Sequence, residues 1–149
     1  MRGTVLGLGL LLAACGPGGP PPPPSAGSIQ PEPINYPDIK TNELYGAGCN
    51  FAANDGGMSA LVLAQEKEAI IKLKGKIVRI PADTKSQILP ETARTRYVAP
   101  DRILILAPLP GAEPSENGVV RSLATSLTIT DPRGQIQFFT KGQVQCKPM

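Results

Sequence analysis

The sequence predicts a small, mainly β domain, an antiparallel sheet or barrel-like fold, set behind a disordered tether rich in proline and glycine. Three observations carry this expectation. Apolar residues in the second half fall in short runs such as Ile70-Ile71, Ile77-Val78 and Ile103-Leu104-Ile105-Leu106, and β-branched side chains fit a pleated, half-buried surface. Turn residues interrupt the runs at Asn54-Asp55-Gly56-Gly57, Lys74-Gly75 and Asp131-Pro132-Arg133-Gly134, a punctuation that belongs to all-β folds. From Gly16 to about Pro37 the composition turns to proline and glycine, with an unbroken run from Pro20 to Pro24.

The elements follow in order. Polyproline resists collapse while flanking glycine and serine bend freely, so residues 15–37 are expected to be a spacer and residues 38–149 the domain, with ordered structure starting between Tyr36 and Tyr45. Met58 to Ala64 suits either helix or strand, and the turn cluster before it favours a strand. Glu66 to Leu73 competes as a helix, but Gly75 interrupts it. Two strands, Glu68 to Leu73 and Lys76 to Ile80, joined by a tight turn at Lys74-Gly75, fit the β-branched residues better, and Pro81 ends the second. Ala82 to Thr95 is polar and reads as a loop whose Ile88-Leu89-Pro90 touches the core.

Arg102 to Ala107 is continuous enough for a strand buried on both faces. Pro108, Pro110 and Pro114 end it, leaving Glu113 to Gly118 as a surface loop. Val119 to Thr130 alternates as a strand, turns at Asp131-Pro132-Arg133-Gly134, and returns antiparallel from Gln135 to Thr140. In that turn Asp accepts backbone hydrogen bonds, Pro fixes φ and Gly supplies a permissive last position. Lys141-Gly142 reads as one more turn before a short final strand, Gln143 to Cys146.

The first residues carry an address. Arg2 precedes an apolar run from Val5 to Leu12, followed by Ala13-Ala14-Cys15. Eight residues are too few for a membrane-spanning helix, which takes about 20, and a charged, then apolar, then small-residue order is that of a secretory signal. Leu12-Ala13-Ala14-Cys15 resembles the lipobox of the type II signal peptide of bacterial lipoproteins. The resemblance covers residues 1–16. It implies that the Cys15 thiol receives a diacylglycerol, that residues 1–14 are removed, and that the domain is held at a membrane of the cell envelope by lipid. Gly16, where an inner-membrane retention signal has Asp, fits an outer-membrane site facing the periplasm.

Composition narrows the chemistry. The chain has 15 basic and 12 acidic residues, and removing residues 1–14 takes only Arg2, leaving +2. Near-neutral charge, scattered bases and no aromatic stacking platform argue against a nucleic-acid partner. Histidine is absent, which closes Ser-His-Asp and Cys-His catalysis and removes the commonest transition-metal ligand. With Cys15 given to lipid, Cys49 and Cys146 are left as an even pair in an oxidising compartment, and a disulfide is expected. Asp55, Asp83, Asp101 and Asp131 stand in turn contexts, where aspartate commonly satisfies backbone donors. Asn54-Asp55-Gly56 lacks the alternating ligands and final glutamate of a calcium loop, and no serine opens a Ser-x-x-Lys motif. No metal and no cofactor is expected.

One further similarity rests on Tyr97 and on Phe138-Phe139-Thr140-Lys141-Gly142 followed by Cys146. It resembles membrane-bound C-type lysozyme inhibitors, which are lipoproteins with a compact β-barrel, a disulfide-bonded last strand, a Ser-Gly-x-x-Tyr motif and a later aromatic segment ending in Lys-Gly. Ala93 and Arg94 stand where that motif has Ser and Gly. The resemblance implies Tyr97 and Lys141 as partner contacts. The reading of the whole chain is a lipid-anchored envelope protein with a non-catalytic binding or structural role toward an envelope macromolecule, with inhibition of a secreted hydrolase such as lysozyme as the alternative. The loops Ala82 to Tyr97 and Pro108 to Gly118 are the expected contact surfaces.

Overall fold

The computed structural model describes residues 28–148. The expected signal peptide, Cys15 and the expected tether up to Gly27 lie outside the described residues. A short helix, α1 (Tyr36–Thr41), precedes β1 (Gly48–Ala53), β2 (Val62–Ala64), β3 (Glu68–Leu73), β4 (Lys76–Pro81), β5 (Arg96–Ala99), β6 (Arg102–Pro108), β7 (Ser115–Asn117), β8 (Val120–Thr130) and β9 (Ile136–Lys147). Pairing is antiparallel throughout, in the order β4-β3-β2-β1-β9-β8-β6-β5, with β7 beside β8. The last strand thus returns to the first. The two free edges, β4 and β5, meet at a bridge between Ala82 and Tyr97 and at a 3.0 Å bond from the Asp83 N–H to the Arg96 carbonyl. The result is an up-and-down barrel closed except along one seam, and closure removes the edges that an open sheet would expose.

Strand alternation fills the interior. Phe51, Ile71, Ile80, Leu104, Leu106, Leu127 and Ile129 are fully buried inside. A second layer lies outside β2 and β3, where Ile34 and Leu44 cover Leu63 and Ile70. Here the expected tether boundary needs correction. Residues 32–37, assigned to the spacer, lie along the sheet: the Glu32 N–H donates to the Lys72 carbonyl at 2.9 Å and the Ile34 N–H to the Ala60 carbonyl at 2.8 Å. The reason is apolar. Ile34 shields outward-facing side chains that would otherwise meet water, and burial of one such aliphatic contributes about 1.5–3 kcal/mol.

A six-residue helix does not persist alone, so α1 needs tertiary anchors. Asn35 and Asp38 form a reciprocal capping box, Pro37 fits the first turn, and Lys72 on β3 donates to both Asp38 oxygens at 3.0 Å. The Asn35 amide first, and the Lys72 ammonium second, hold the Asp38 carboxyl below its ordinary range.

Both predicted tight hairpins form. Lys74 and Gly75 each have positive φ, as a two-residue turn between twisted strands demands. At the other, Asp131 Oδ1 accepts from the Arg133 and Gln135 amides, both at 2.9 Å, and Gly134 takes φ +88°. Four expectations are corrected. Arg102–Pro108 is buried on one face only, because β6 lies in a barrel wall rather than a covered sheet. Glu113 to Gly118 is not a plain loop, since β7 pairs with β8. The strand expected over Met58 to Ala64 starts at Val62. Lys141-Gly142 is no turn: β9 runs through it, and at Gly142 the backbone of β1 approaches closely. A Cβ there would meet the Ala52 carbonyl oxygen at 2.0 Å, so the glycine serves close approach rather than a bend.

Cys49 and Cys146 face each other in register across β1 and β9 and are disulfide-bonded, 97 residues apart in sequence. A loop of that length corresponds to about 4–5 kcal/mol in the chain-entropy account. Reduction, or Cys49→Ala, is expected to lower unfolding free energy by roughly that amount or somewhat less; urea titrations with and without reductant measure it, and coincident curves would count against the staple. Gly142→Ala is expected to cost about 1–3 kcal/mol, toward the upper end because overpacking against backbone finds no side chain to move aside, and a variant with wild-type urea midpoint would contradict the close approach.

Candidate functional site

The barrel's two ends differ. One is plugged by residues 82–95. Leu89 and Ala93 are buried there, and the Leu89 N–H donates to the Ala93 carbonyl at 2.7 Å. The Arg94 guanidinium holds the loop's own carbonyls, Nη1 donating to Thr84 at 3.1 Å and Ser86 at 3.0 Å. The Cys49 Sγ sits 3.4 Å from the Pro90 carbonyl oxygen, so the plug rests on the disulfide. The expected core contact of this loop is made by Leu89, although Ile88 is exposed, and the reading of Ala82 to Tyr97 as a contact surface is corrected where Leu89, Ala93 and Tyr97 are buried and close the barrel.

Tyr97 is the centre of this plug. It is fully buried, its hydroxyl donates to the Gln65 carbonyl at 2.7 Å and accepts from the Arg94 N–H at 2.8 Å. Burial pushes its phenol up to about 12, against a smaller opposing effect of the Arg94 amide. A partner cannot reach it. Lys141 is exposed but lies on β9, whose neighbours are β1 and β8, whereas Tyr97 lies on β5 beside β6. The fold does not bring the two expected contacts together, and Tyr97 belongs to the core.

The other end is open. Extending the Ala82–Tyr97 register toward it would place Val78 opposite Asp101, inside the turn between β5 and β6, so the lower half of β4 has no strand to face. The gap is a mouth of about 790 Å³ bordered by Ile29, Glu32, Leu73, Lys74, Lys76, Val78 and Arg102. Arg102 shares the inward face of β6 with buried Leu104 and Leu106. Its Nη2 donates to Asp101 at 2.8 Å, and that contact is the main cause holding the Asp101 carboxyl below its ordinary range. Nε and Nη1 are buried without a hydrogen-bond partner. Leaving buried donors unmade costs about 1–3 kcal/mol for each group. Glu32, beside the mouth, accepts from the Gly75 N–H at 2.7 Å.

Sequence reasoning missed Arg102, reading it as the start of a strand. The available signal was its spacing: a charged residue two and four positions before apolar side chains on an inward face points inward with them. A second, smaller hollow of about 210 Å³ lies outside the sheet between Tyr36, Tyr45, Gln65 and Lys147. Asp83, like Asp38, is spent on structure, its carboxyl lowered first by the Lys85 amide and then by Arg96 at 2.9 Å. Among the described residues, no three His, Cys, Asp or Glu side chains converge as a metal cage requires.

Tyr97→Phe is expected to destabilise the fold by about 1–3 kcal/mol, because the Gln65 carbonyl loses its donor and the Arg94 N–H its acceptor; thermal unfolding measures this. Since the folded phenol titrates above the unfolded one, its contribution is fully present below pH 10 and is lost as pH rises through about 12. Absorbance titration of the tyrosinates should accordingly show one group ionising near pH 12, and its absence in wild type would refute the buried hydroxyl. Comparison with known protein families, with curated proteins and with solved structures finds no match to this chain.

Proposed function

We propose that this chain is a lipid-anchored binding protein of a bacterial envelope, with a recognition role rather than a catalytic one. The observation that carries the binding role is the open mouth with Arg102 in it. Arg94 Nε in the plug is also buried without a partner, but of the two arginines Arg102 borders the mouth, where a ligand's acceptor meets the donors it lacks partners for. The lipid anchor rests on Leu12-Ala13-Ala14-Cys15, and the outer-membrane placement on Gly16. The Pro/Gly composition between Cys15 and Gly27 fits a spacer that lets the domain reach away from the bilayer.

The recognition role is supported by what the ionisable groups already do. Asp38, Asp83 and Asp101 are each committed to a base or a backbone amide, and acid catalysis needs a carboxyl poised near neutrality instead. Among the described residues, no helix is long and apolar enough to cross a membrane, so the lipid on Cys15 is the attachment this proposal requires. The alternative of lysozyme inhibition loses its main contact with the burial of Tyr97.

Cells fed a fatty-acid analogue should label the wild-type protein and not Cys15→Ser, and the variant should leave the membrane fraction or accumulate as an uncleaved precursor. Label retained on Cys15→Ser would end the anchor reading.

A further inference from the structure

We infer that the open mouth of the barrel binds a single-chain amphipathic anion, its carboxylate or phosphate on Arg102 and its apolar stem along Ile29, Leu73 and Val78. This rests on the recognition role above and gives it a ligand class.

Three features of the mouth select that chemistry. The first is charge. Arg102 offers donors on two buried nitrogens after Asp101 has taken Nη2, and Lys74 and Lys76 stand at the same rim. Against these three cations are Glu32 and Asp101, each already hydrogen-bonded, so the mouth keeps a net positive charge. Guanidinium donors in a site shielded from water favour a carboxylate or phosphate over a neutral acceptor, because hydrogen bonds between charged partners are the stronger ones.

The second is apolar wall. Leu73 and Val78 continue the inward rows of Ile71 and Ile80 toward the opening and pack on the core, as does Ile29 from the segment crossing the mouth. An inorganic ion would leave those walls in water, whereas each buried methylene adds about 0.8 kcal/mol. A volume of about 790 Å³ falls within the roughly 300–1,000 Å³ of small-molecule sites, far more than a bare phosphate fills.

The third is that the carboxylates beside the mouth, Glu32 and Asp101, are already engaged, and neither fills the two unpaired nitrogens of Arg102. Residues 1–27, which lead into the segment at the mouth, contain neither Asp nor Glu. The unfilled seam between β4 and β5 gives the stem a lateral way in.

The test uses the full chain carrying Cys15→Ser, prepared without detergent, and isothermal titration with decanoate, decyl phosphate, decanol and inorganic phosphate. Decanoate or decyl phosphate should bind, the tighter of the two identifying the head group. Decanol and inorganic phosphate should bind at least tenfold more weakly, and Arg102→Gln should weaken the anion at least tenfold, about 1.4 kcal/mol, without lowering the thermal midpoint. Val78→Trp, which fills the stem's path and leaves Arg102 in place, should abolish binding and decides the matter if Arg102→Gln fails to fold. Equal binding of decanol, equal binding of inorganic phosphate, or unchanged binding in a folded Val78→Trp would each overturn the inference. Hydrolysis of 4-nitrophenyl decanoate by the same protein would overturn the non-catalytic role alone, and absence of binding by both decanoate and decyl phosphate would overturn the site alone.

Discussion

The pairing of β1 with β9 is the constraint on which the rest of this structure depends. Without it the chain is two sheets, β1 to β4 and β5 to β9, each with two open edges and one bare apolar face. Six register pairs, from Gly48–Lys147 to Ala53–Gly142, join them. That contact is among the most distant in sequence and therefore the most expensive in loop entropy. The disulfide bears on this step because it removes the entropy of that closure from the unfolded state. Gly142 bears on it as well, by letting the Ala52 carbonyl come near.

Once the barrel is closed, its two ends are fixed by sequence in opposite ways. At one end a long connection between β4 and β5 has enough chain to fold inward, and Leu89, Ala93 and the Tyr97 hydroxyl make it a stopper. At the other end three connections are tight, Lys74-Gly75, Pro100-Asp101 and the Asp131 turn, while the longer one between β1 and β2, residues 54–61, runs back along the wall, where the Leu61 N–H donates to the Phe51 carbonyl and Met58 stays exposed. Ile29 alone reaches across from the N-terminal segment. One end is therefore sealed by a loop folded inward and the other is left open, and Arg102 borders the open one.

How much of this was readable in the sequence depended on whether the information was local. The β3–β4 and β8–β9 turns were legible because their geometry is dictated by the residues inside them, Lys74-Gly75 and Asp131 to Gly134. The Cys49–Cys146 bond was legible by counting. β1 was not, since Cys49-Asn50-Phe51-Ala52-Ala53 has a weak apolar pattern and owes its strand to partners distant in sequence. β5 was hidden for a similar reason, its four residues being pinned by Tyr97 to Gln65 and Arg94. Lys141-Gly142 misled because a glycine that permits close packing and one that permits a turn look alike in sequence. The capping box of α1 was spelled out in Asn35 and Asp38, but the proline-rich composition around it masked the signal. Tyr97 was expected at a surface on a motif that the chain matches only in part, and full burial of its ring decides against it.

The seam and the mouth are one feature seen twice. In the register set by Ala82 and Tyr97, β5 ends at Ala99, opposite Ile80, so Lys76 to Arg79 outrun it, and Arg79 and Val78 face the turn at Pro100-Asp101 instead of a strand. A longer β5 would complete the hydrogen-bond ladder along β4 and carry the turn, with Arg102, beyond the rim. Shortness of β5 thus costs the barrel a few backbone pairs and at the same time sets a guanidinium beside two apolar side chains at an opening. Closure of the wall and presentation of Arg102 are mutually exclusive in this topology, and the chain has the second.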